Sequence, residues 1–117
     1  MTPYEEYLCA CAKYEVHQLK ESGQKFVLDK DKFDPTEFVS CFYGQAFGSS
    51  KGDRAMKFKK DNKIRLMKEN CTFTALEELM DRLWNKDKKE QVYKIVEQFA
   101  TWKQLDEEAN EENLFTL

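Results

Sequence analysis

The sequence predicts a predominantly helical α+β domain, with about four helices and one small β-hairpin near residues 56–67. Over three long stretches, apolar residues recur at intervals of three and four, which is the period of an amphipathic helix. A basic stretch between them alternates apolar and charged residues, which is the period of a strand. An all-helical fold stays open as the alternative, because this stretch is rich in Ala, Met, Lys, Arg and Leu, which favour helix.

The first predicted helix covers about residues 3–22. Pro3 suits the first turn of a helix, and Gly23 suits the position just after its end. The run 26–28 that follows is compatible with a short strand or with an extended connection. The apolar side of the helix contains Tyr4, Leu8, Cys11, Ala12, Val16 and Leu19.

A second helix is predicted from an N-terminal capping signal. Asp34 would be the N-cap, Pro35 would occupy the first helical position, and Glu37 would complete a reciprocal capping arrangement. The helix is expected to end near Phe47 or Gly48. Its predicted buried residues are Phe38, Val39, Phe42 and Tyr43.

The predicted hairpin follows a glycine-containing joint at residues 48–53. Met56 and Phe58 alternate with lysines, and Ile64 and Leu66 flank Arg65 in the same alternating manner. Asp61 and Asn62 supply turn chemistry between the two halves. In this arrangement the apolar side chains would share one face and the basic side chains the other.

Two further helices are predicted near the C-terminal end, and a connection of residues 85–87 would make them an antiparallel helical hairpin. Thr74 with Glu77 forms a capping box for one helix, and Asp87 with Glu90 repeats the arrangement for the other. The first inner face would contain Leu76, Leu79, Met80, Leu83 and Trp84. The second would contain Val92, Ile95, Val96, Phe99, Ala100 and either Trp102 or Lys103.

Residues 1–105 are predicted to be a single globular domain, and residues 106–117 an acidic tail that frays or prolongs the last helix. The tail contains a candidate linear motif of Leu114, Phe115 and Leu117. It carries five acidic residues and no basic one.

Charge is unevenly distributed along the chain. The net charge is −3, yet residues 51–68 contain eight basic and two acidic residues. Such an uneven charge distribution affects which partners a protein can bind, and it does not determine the fold. The candidate interaction surface therefore consists of Lys51, Arg54, Lys57, Lys59, Lys60, Lys63, Arg65 and Lys68.

No catalytic, cofactor-binding or metal-binding residues are predicted. The glycines at positions 44, 48 and 52 are in the wrong order for a phosphate-binding loop and follow a helix instead of preceding one. Cys9 and Cys11 would point apart on a helix, and His17 has no evident catalytic partner. We therefore expect no enzymatic activity.

The compartment is expected to be the cytoplasm. No apolar run approaches the roughly 20 residues of a membrane-spanning helix, and the first residues include glutamates where a secretory signal carries positive charge. The four cysteines are expected to be reduced and mostly buried, because a chain of 117 residues with this many apolar residues can build a core without disulfides. No membrane partner is expected.

The leading functional hypothesis is a small non-catalytic intracellular binding protein: an adaptor, regulator or inhibitor that acts through protein–protein contact. The alternative is a nucleic-acid-binding protein that uses the basic residues 51–68 as a two-stranded ribbon, screened by the acidic tail. Exposed aromatic residues beside the basic segment would favour a binding surface, because aromatic side chains are favoured anchors at protein interfaces. The identity of the partner and the oligomeric state are left open.

Overall fold

The computed structural model describes residues 2–103, which form five helices and two short strands. The predominantly helical α+β class is confirmed, with 53% of these residues helical. The division of the chain at residue 105 stays a prediction, and the tail motif of Leu114, Phe115 and Leu117 lies outside the described residues. The elements are α1 (Pro3–Glu21), β1 (Phe26–Leu28), α2 (Phe42–Phe47), α3 (Asp53–Asp61), α4 (Ala75–Asn85), α5 (Lys89–Glu97) and β2 (Ala100–Trp102).

Helix α1 confirms the first predicted helix and its end signals. The Thr2 side chain accepts a hydrogen bond from the Glu5 amide at 3.2 Å, and Pro3 occupies the first turn. Gly23, just after the helix, has φ +72°, a backbone conformation that favours glycine. The buried apolar face of α1 packs mainly against α4.

Strands β1 and β2 form a parallel pair, with Phe26 opposite Ala100 and Leu28 opposite Trp102. The prediction that the last helix includes residues 99–103 is therefore wrong, since α5 ends at Glu97. The aromatic and β-branched residues after α5 suit a strand, and β1 provides the backbone partner that this strand needs. The Lys103 amide continues the pairing by donating to the Leu28 carbonyl at 2.7 Å.

The predicted start of the second helix is also wrong. Asp34 caps a turn instead, accepting a hydrogen bond from the Thr36 amide at 2.9 Å, and α2 begins only after Cys41. Phe38 and Val39, predicted to be buried, are 49% and 50% exposed. The predicted C-terminal end is confirmed, because α2 stops at Phe47.

Gly44 explains why the chain turns before α2. A Cβ atom at this position would lie 2.5 Å from the Phe38 carbonyl oxygen and 2.5 Å from the Val39 carbonyl carbon. The backbone of the 38–39 turn therefore packs directly on the glycine, a contact that a regular helix over residues 35–47 would not make.

The predicted hairpin near residues 56–67 is wrong, because its first half is helix α3. Ala55 and Lys59, four residues apart, are the buried positions of this helix. The second half is extended, as the alternation around Arg65 predicted, but Leu66 forms a single antiparallel bridge with Thr74 instead of pairing with residues 56–58. A lysine on the buried face hides the helical period from a count of apolar residues.

Helices α4 and α5 contact each other and are joined by a tight turn. Asp87 does not cap α5; it has φ +63° and follows the end of α4. Its amide donates to the Trp84 carbonyl at 3.1 Å, and the Lys88 amide donates to the Leu83 carbonyl at 2.9 Å. This is the hydrogen-bond pattern of a Schellman motif, so Asp87 terminates α4 instead of starting α5.

The core is rich in aromatic residues. Phe42, predicted to be buried, is fully enclosed, and so is Tyr43. The Phe42 ring contacts the rings of Phe26, Tyr43 and Phe99 in edge-on arrangements with centroid distances of 4.6 to 4.9 Å. A second aromatic cluster, beside β2, consists of Phe33, Trp84, Tyr93 and Trp102.

Candidate functional site

The predicted basic surface is not one continuous face. Lys59 is only 1% exposed, so its assignment to that surface is wrong. The others are exposed but belong to several segments: Arg54, Lys57 and Lys60 lie on α3, and the rest lie before or after it. These exposed residues are Lys51, Arg54, Lys57, Lys60, Lys63, Arg65 and Lys68.

Lys59 is held in the interior by oxygen atoms on all three of its hydrogen-bonding positions. Its ammonium group lies 2.8 Å from the Glu77 carboxylate and 2.8 Å from the Thr72 carbonyl oxygen. A third, longer bond of 3.3 Å reaches the Ser50 carbonyl oxygen. The ring of Tyr43 lies beneath the ammonium, with its centroid 4.3 Å away.

Glu15 occupies a similarly buried position on α1, where it is 3% exposed. One carboxylate oxygen accepts hydrogen bonds from the Tyr43 hydroxyl at 2.8 Å and from the Thr74 hydroxyl at 2.6 Å. The other accepts from the Leu76 amide at 3.1 Å. Thr74 also forms the predicted capping box with Glu77, which is confirmed. We call Glu15, Tyr43, Lys59, Thr74 and Glu77 the buried polar network.

Burial determines the electrostatics of this network. Loss of solvation raises the pKa of Glu15 to about 7, although hydrogen bonds from Thr74, Leu76 and Tyr43 favour the charged form. Burial also raises the pKa of Glu77, and the Lys59 cation opposes that effect. Burial, with Glu15 nearby, raises the pKa of Tyr43 well above its ordinary value. The electrostatic interactions of these side chains therefore link four helices, α1 to α4.

The buried polar network fits a structural role. Among the described residues, every buried side-chain nitrogen and oxygen has a hydrogen-bond partner, and the two acids of the network are almost completely enclosed. A buried, fully satisfied network holds the elements that it joins in one arrangement.

Within residues 2–103, no cluster of His, Cys, Asp and Glu side chains has the composition to hold a metal ion. Cys41 is buried and caps α2, and burial raises the pKa of its thiol.

Glu15 leads to a prediction about pH. The unfolded carboxyl ionises near pH 4.5, whereas the folded one keeps its proton until about pH 7, so folding retains a proton between these values. Its contribution to stability is complete below pH 4.5 and is lost as the pH rises through 7, by about 3 kcal/mol in total. Urea unfolding between pH 4 and 8 should show this decline in the native chain.

The matched variant Glu15→Gln lacks the titrating group and should show a flatter profile over the same pH range. Glu77 contributes a decline of the same sign to both proteins, so the difference between the two curves isolates Glu15. Parallel curves for the native chain and Glu15→Gln would show that the Glu15 carboxyl does not hold its proton in the folded state.

An open groove lies beside this network, between α1 and the residues that follow α3. Its volume is about 440 Å³. We call it the tyrosine groove, because two exposed tyrosines of α1 form part of its wall. It is lined by Tyr7, Ala10, Cys11, Tyr14, Glu15, Lys63, Arg65, Met67 and Ala75.

The two walls of the tyrosine groove differ in chemistry. Tyr7 and Tyr14 are 42% and 52% exposed, and they lie seven residues, about two turns, apart on the same side of α1. Lys63 and Arg65 belong to the segment that follows α3, and this segment forms the opposite wall of the groove. The structure therefore brings exposed aromatic residues next to part of the predicted basic surface.

The backbone at Lys63 is in an unusual conformation for a lysine. Its φ is +58°, and its amide donates to the Lys60 carbonyl at 3.1 Å while the Ile64 amide donates to the Lys59 carbonyl at 2.8 Å. This is again a Schellman motif, in which glycine usually occupies the position of Lys63. The lysine costs backbone energy here but places a cation on the groove wall.

The remaining basic residues lie away from the tyrosine groove. Lys57 and Lys60 line a separate depression with Met56, and Lys68 lies near Phe73 and Asp81. The Lys51 ammonium is 5.1 Å from the centroid of the exposed Phe38 ring. A two-stranded ribbon that presents all eight basic residues to nucleic acid does not form.

Two parts of this region do not belong to the predicted interaction surface: the tyrosines of the groove and the buried Glu15. Tyr7 and Tyr14 widen the apolar stripe of α1, so the sequence alone does not show whether their rings lie in the core or at the surface. Glu15 did carry a signal, since it lies three residues after Ala12 and four before Leu19 on the buried face. A carboxylate at such a position needs buried donors.

Protein-family models, curated proteins and solved structures contain no match to this chain. Among the described helices, none is long and apolar enough to cross a membrane. The functional proposal therefore depends on the groove and the charges around it.

Proposed function

We propose that this chain is a small, non-catalytic intracellular binding protein that holds an acidic segment of a partner protein in the tyrosine groove. It would act as an adaptor, regulator or inhibitor. The observation that carries the proposal is the placement of Tyr7 and Tyr14 opposite Lys63 and Arg65 around one open groove.

The tyrosines supply the anchoring part of the surface. A tyrosine offers a large, fairly rigid apolar ring together with a polar hydroxyl, which is why tyrosines are frequent at the centres of protein interfaces. Tyr7 and Tyr14 are about half exposed, so much of each ring lies in water. A partner side chain that packs between them would bury apolar area that the free protein leaves in water.

The basic wall supplies the preference for an acidic partner. Lys63 and Arg65 are exposed, whereas Glu15, which also lines the groove, has a buried carboxyl that is hydrogen-bonded to donors. Burial favours the neutral form of that carboxyl, which limits its repulsion of an approaching anion. Arg65 is suited to paired hydrogen bonds with a partner carboxylate.

The proposal is tested with labelled peptides of defined chemistry. Fluorescein-labelled peptides that alternate Glu with Leu or Phe should bind the native chain in an anisotropy titration, and the same peptides with Gln in place of Glu should bind more weakly. The double variant Lys63→Glu/Arg65→Glu should weaken binding of the acidic peptide at least about tenfold. Tyr7→Ser/Tyr14→Ser should also weaken it, because the aromatic wall is removed.

A matched control makes the same change in charge elsewhere. Lys25→Glu/Lys94→Glu alters two exposed lysines that do not line the tyrosine groove, and it should leave binding nearly unchanged. Equal weakening by this control would mean that only net charge matters. An oligothymidine that binds in a salt-dependent manner and is released by Lys57→Glu/Lys60→Glu, while the acidic peptide does not bind, would favour the nucleic-acid hypothesis instead.

A further inference from the structure

A second groove lies between α1, α4 and α5, on another part of the α1 surface. Its volume is about 310 Å³. Val16, Leu79 and Ile95 contribute apolar side chains to it, and Lys13, His17 and Lys20 of α1 also line it. None of the residues that line it within the described part of the chain carries a carboxylate. We call this the basic-rimmed groove.

The three basic groups form a row. Positions 13, 17 and 20 are separated by four and three residues, which places them on one side of a helix over about 10 Å of its length. The row runs beside apolar side chains contributed by all three helices. An occupant that complements this groove combines several acidic residues with apolar side chains in one short segment.

Residues 104–117 of the same chain have this composition. They contain five acidic residues, no basic residue, and the apolar residues Leu114, Phe115 and Leu117. The described part of the chain ends at Lys103, and Gln98, only five residues earlier, lines the basic-rimmed groove. The segment therefore begins within about 17 Å of a residue that lines this groove.

The segment is also long enough. Fourteen extended residues reach about 46 Å, whereas returning from Lys103 to Gln98 takes at most about 17 Å. The part of α1 from Cys9 to Lys20 adds about 17 Å more. The segment is therefore about four residues longer than this path requires.

We propose that residues 104–117 dock in the basic-rimmed groove, with acidic side chains beside Lys13, His17 and Lys20 and with the apolar residues 114–117 against its floor. The surface that the docked segment would occupy is separate from the tyrosine groove. This differs from the expectation that the acidic tail screens the basic residues 51–68.

Hydrogen exchange of the full chain, measured by mass spectrometry at low salt, tests the proposal. Backbone amides of residues 104–117 should exchange about tenfold more slowly in the native chain than in the variant Lys13→Glu/Lys20→Glu. Salt at about 1 M should remove most of this difference, because exposed charges are then screened beyond about 3 Å. The matched variant Lys63→Glu/Arg65→Glu, which alters the tyrosine groove, should leave exchange of residues 104–117 unchanged.

A second measurement uses a variant that changes only residues 114 and 115 and leaves the residues of α1, α4 and α5 as they are. In Leu114→Asp/Phe115→Asp, the methyl NMR signals of Val16, Leu79 and Ile95 should shift relative to the native chain, because their apolar covering is lost. Identical methyl spectra would overturn the proposal. So would exchange of residues 104–117 that is equally fast in the native chain and in Lys13→Glu/Lys20→Glu, or that increases only in Lys63→Glu/Arg65→Glu, which would assign the segment to the tyrosine groove.

Discussion

The free energy of unfolding of the variant Lys59→Met is expected to be about 3–5 kcal/mol lower than that of the native chain. This is the usual effect of removing one member of a buried ion pair. Methionine fills a similar volume but supplies no donor. The Glu77 carboxylate would lose its cation, and the carbonyl oxygens of Thr72 and Ser50 would each lose a hydrogen bond. Urea unfolding at pH 7 measures the loss.

Two further variants separate the ion pair from general effects of the substitution. Lys60→Met changes the neighbouring, exposed lysine and should alter stability by no more than about 0.5 kcal/mol. The double variant Lys59→Met/Glu77→Gln should recover a large part of the loss, because a neutral amide keeps the capping contact with Thr74 without leaving a buried charge. Equal stabilities for Lys59→Met and Lys60→Met would contradict the buried position of Lys59.

The variant Gly44→Ala is expected to be destabilised by about 3 kcal/mol, at the upper end of the usual effect of overpacking. The new methyl group would meet backbone atoms of Phe38 and Val39 at 2.5 Å, and backbone cannot move aside as a flexible side chain can. Thermal and urea unfolding would both report the loss.

Whether Gly44→Ala lowers or raises the free energy of unfolding distinguishes the observed turn from the helix predicted over residues 35–47. In the interior of a regular helix, the change from glycine to alanine stabilises by about 1 kcal/mol, so an increase in stability would contradict the turn that packs on Gly44. Gly52→Ala is the control, because a Cβ atom there lies 3.4 Å from the Ser49 carbonyl oxygen, close to an ordinary contact. It should change stability by less than about 1 kcal/mol.

The helices that the sequence predicts correctly are those whose signals are local. Thr74 and Glu77 are three residues apart and form the capping box that starts α4, so no distant part of the chain is needed to recognise it. The same holds for α1, whose two ends are marked by Pro3 in its first turn and by Gly23 just after it. Element type follows from short-range pattern in these cases.

The failures depend on distant partners. The sequence predicts an exposed Lys59, because Glu77, which neutralises it, lies 18 residues further along the chain. The sequence predicts helix where β2 forms, because the partner strand β1 precedes it by more than 70 residues. No short sequence window contains both members of either pair, so the competing local preference determined the prediction.

The sequence predicts the basic residues of the tyrosine groove as binding residues, but not its tyrosines. The charge count identified Lys63 and Arg65 as members of a binding surface, since clustered charge is visible in the sequence itself. Tyr7 and Tyr14 join them only because α1 passes beside the segment after α3, which is a result of tertiary packing. The separation of Lys57 and Lys60 from this groove has the same origin.

The pairing of β1 with β2 has a consequence for the order in which the protein is made. Phe26 and Ala100 are separated by 74 residues, so the ribosome completes α1 to α5 before the strand that covers β1 is available. Throughout that interval, the exposed backbone edge of β1 can pair with another chain. Closing so long a loop is entropically expensive unless the intervening helices have already drawn its ends together. Release of β2 from the exit tunnel is therefore the step at which we expect the nascent chain to become resistant to protease.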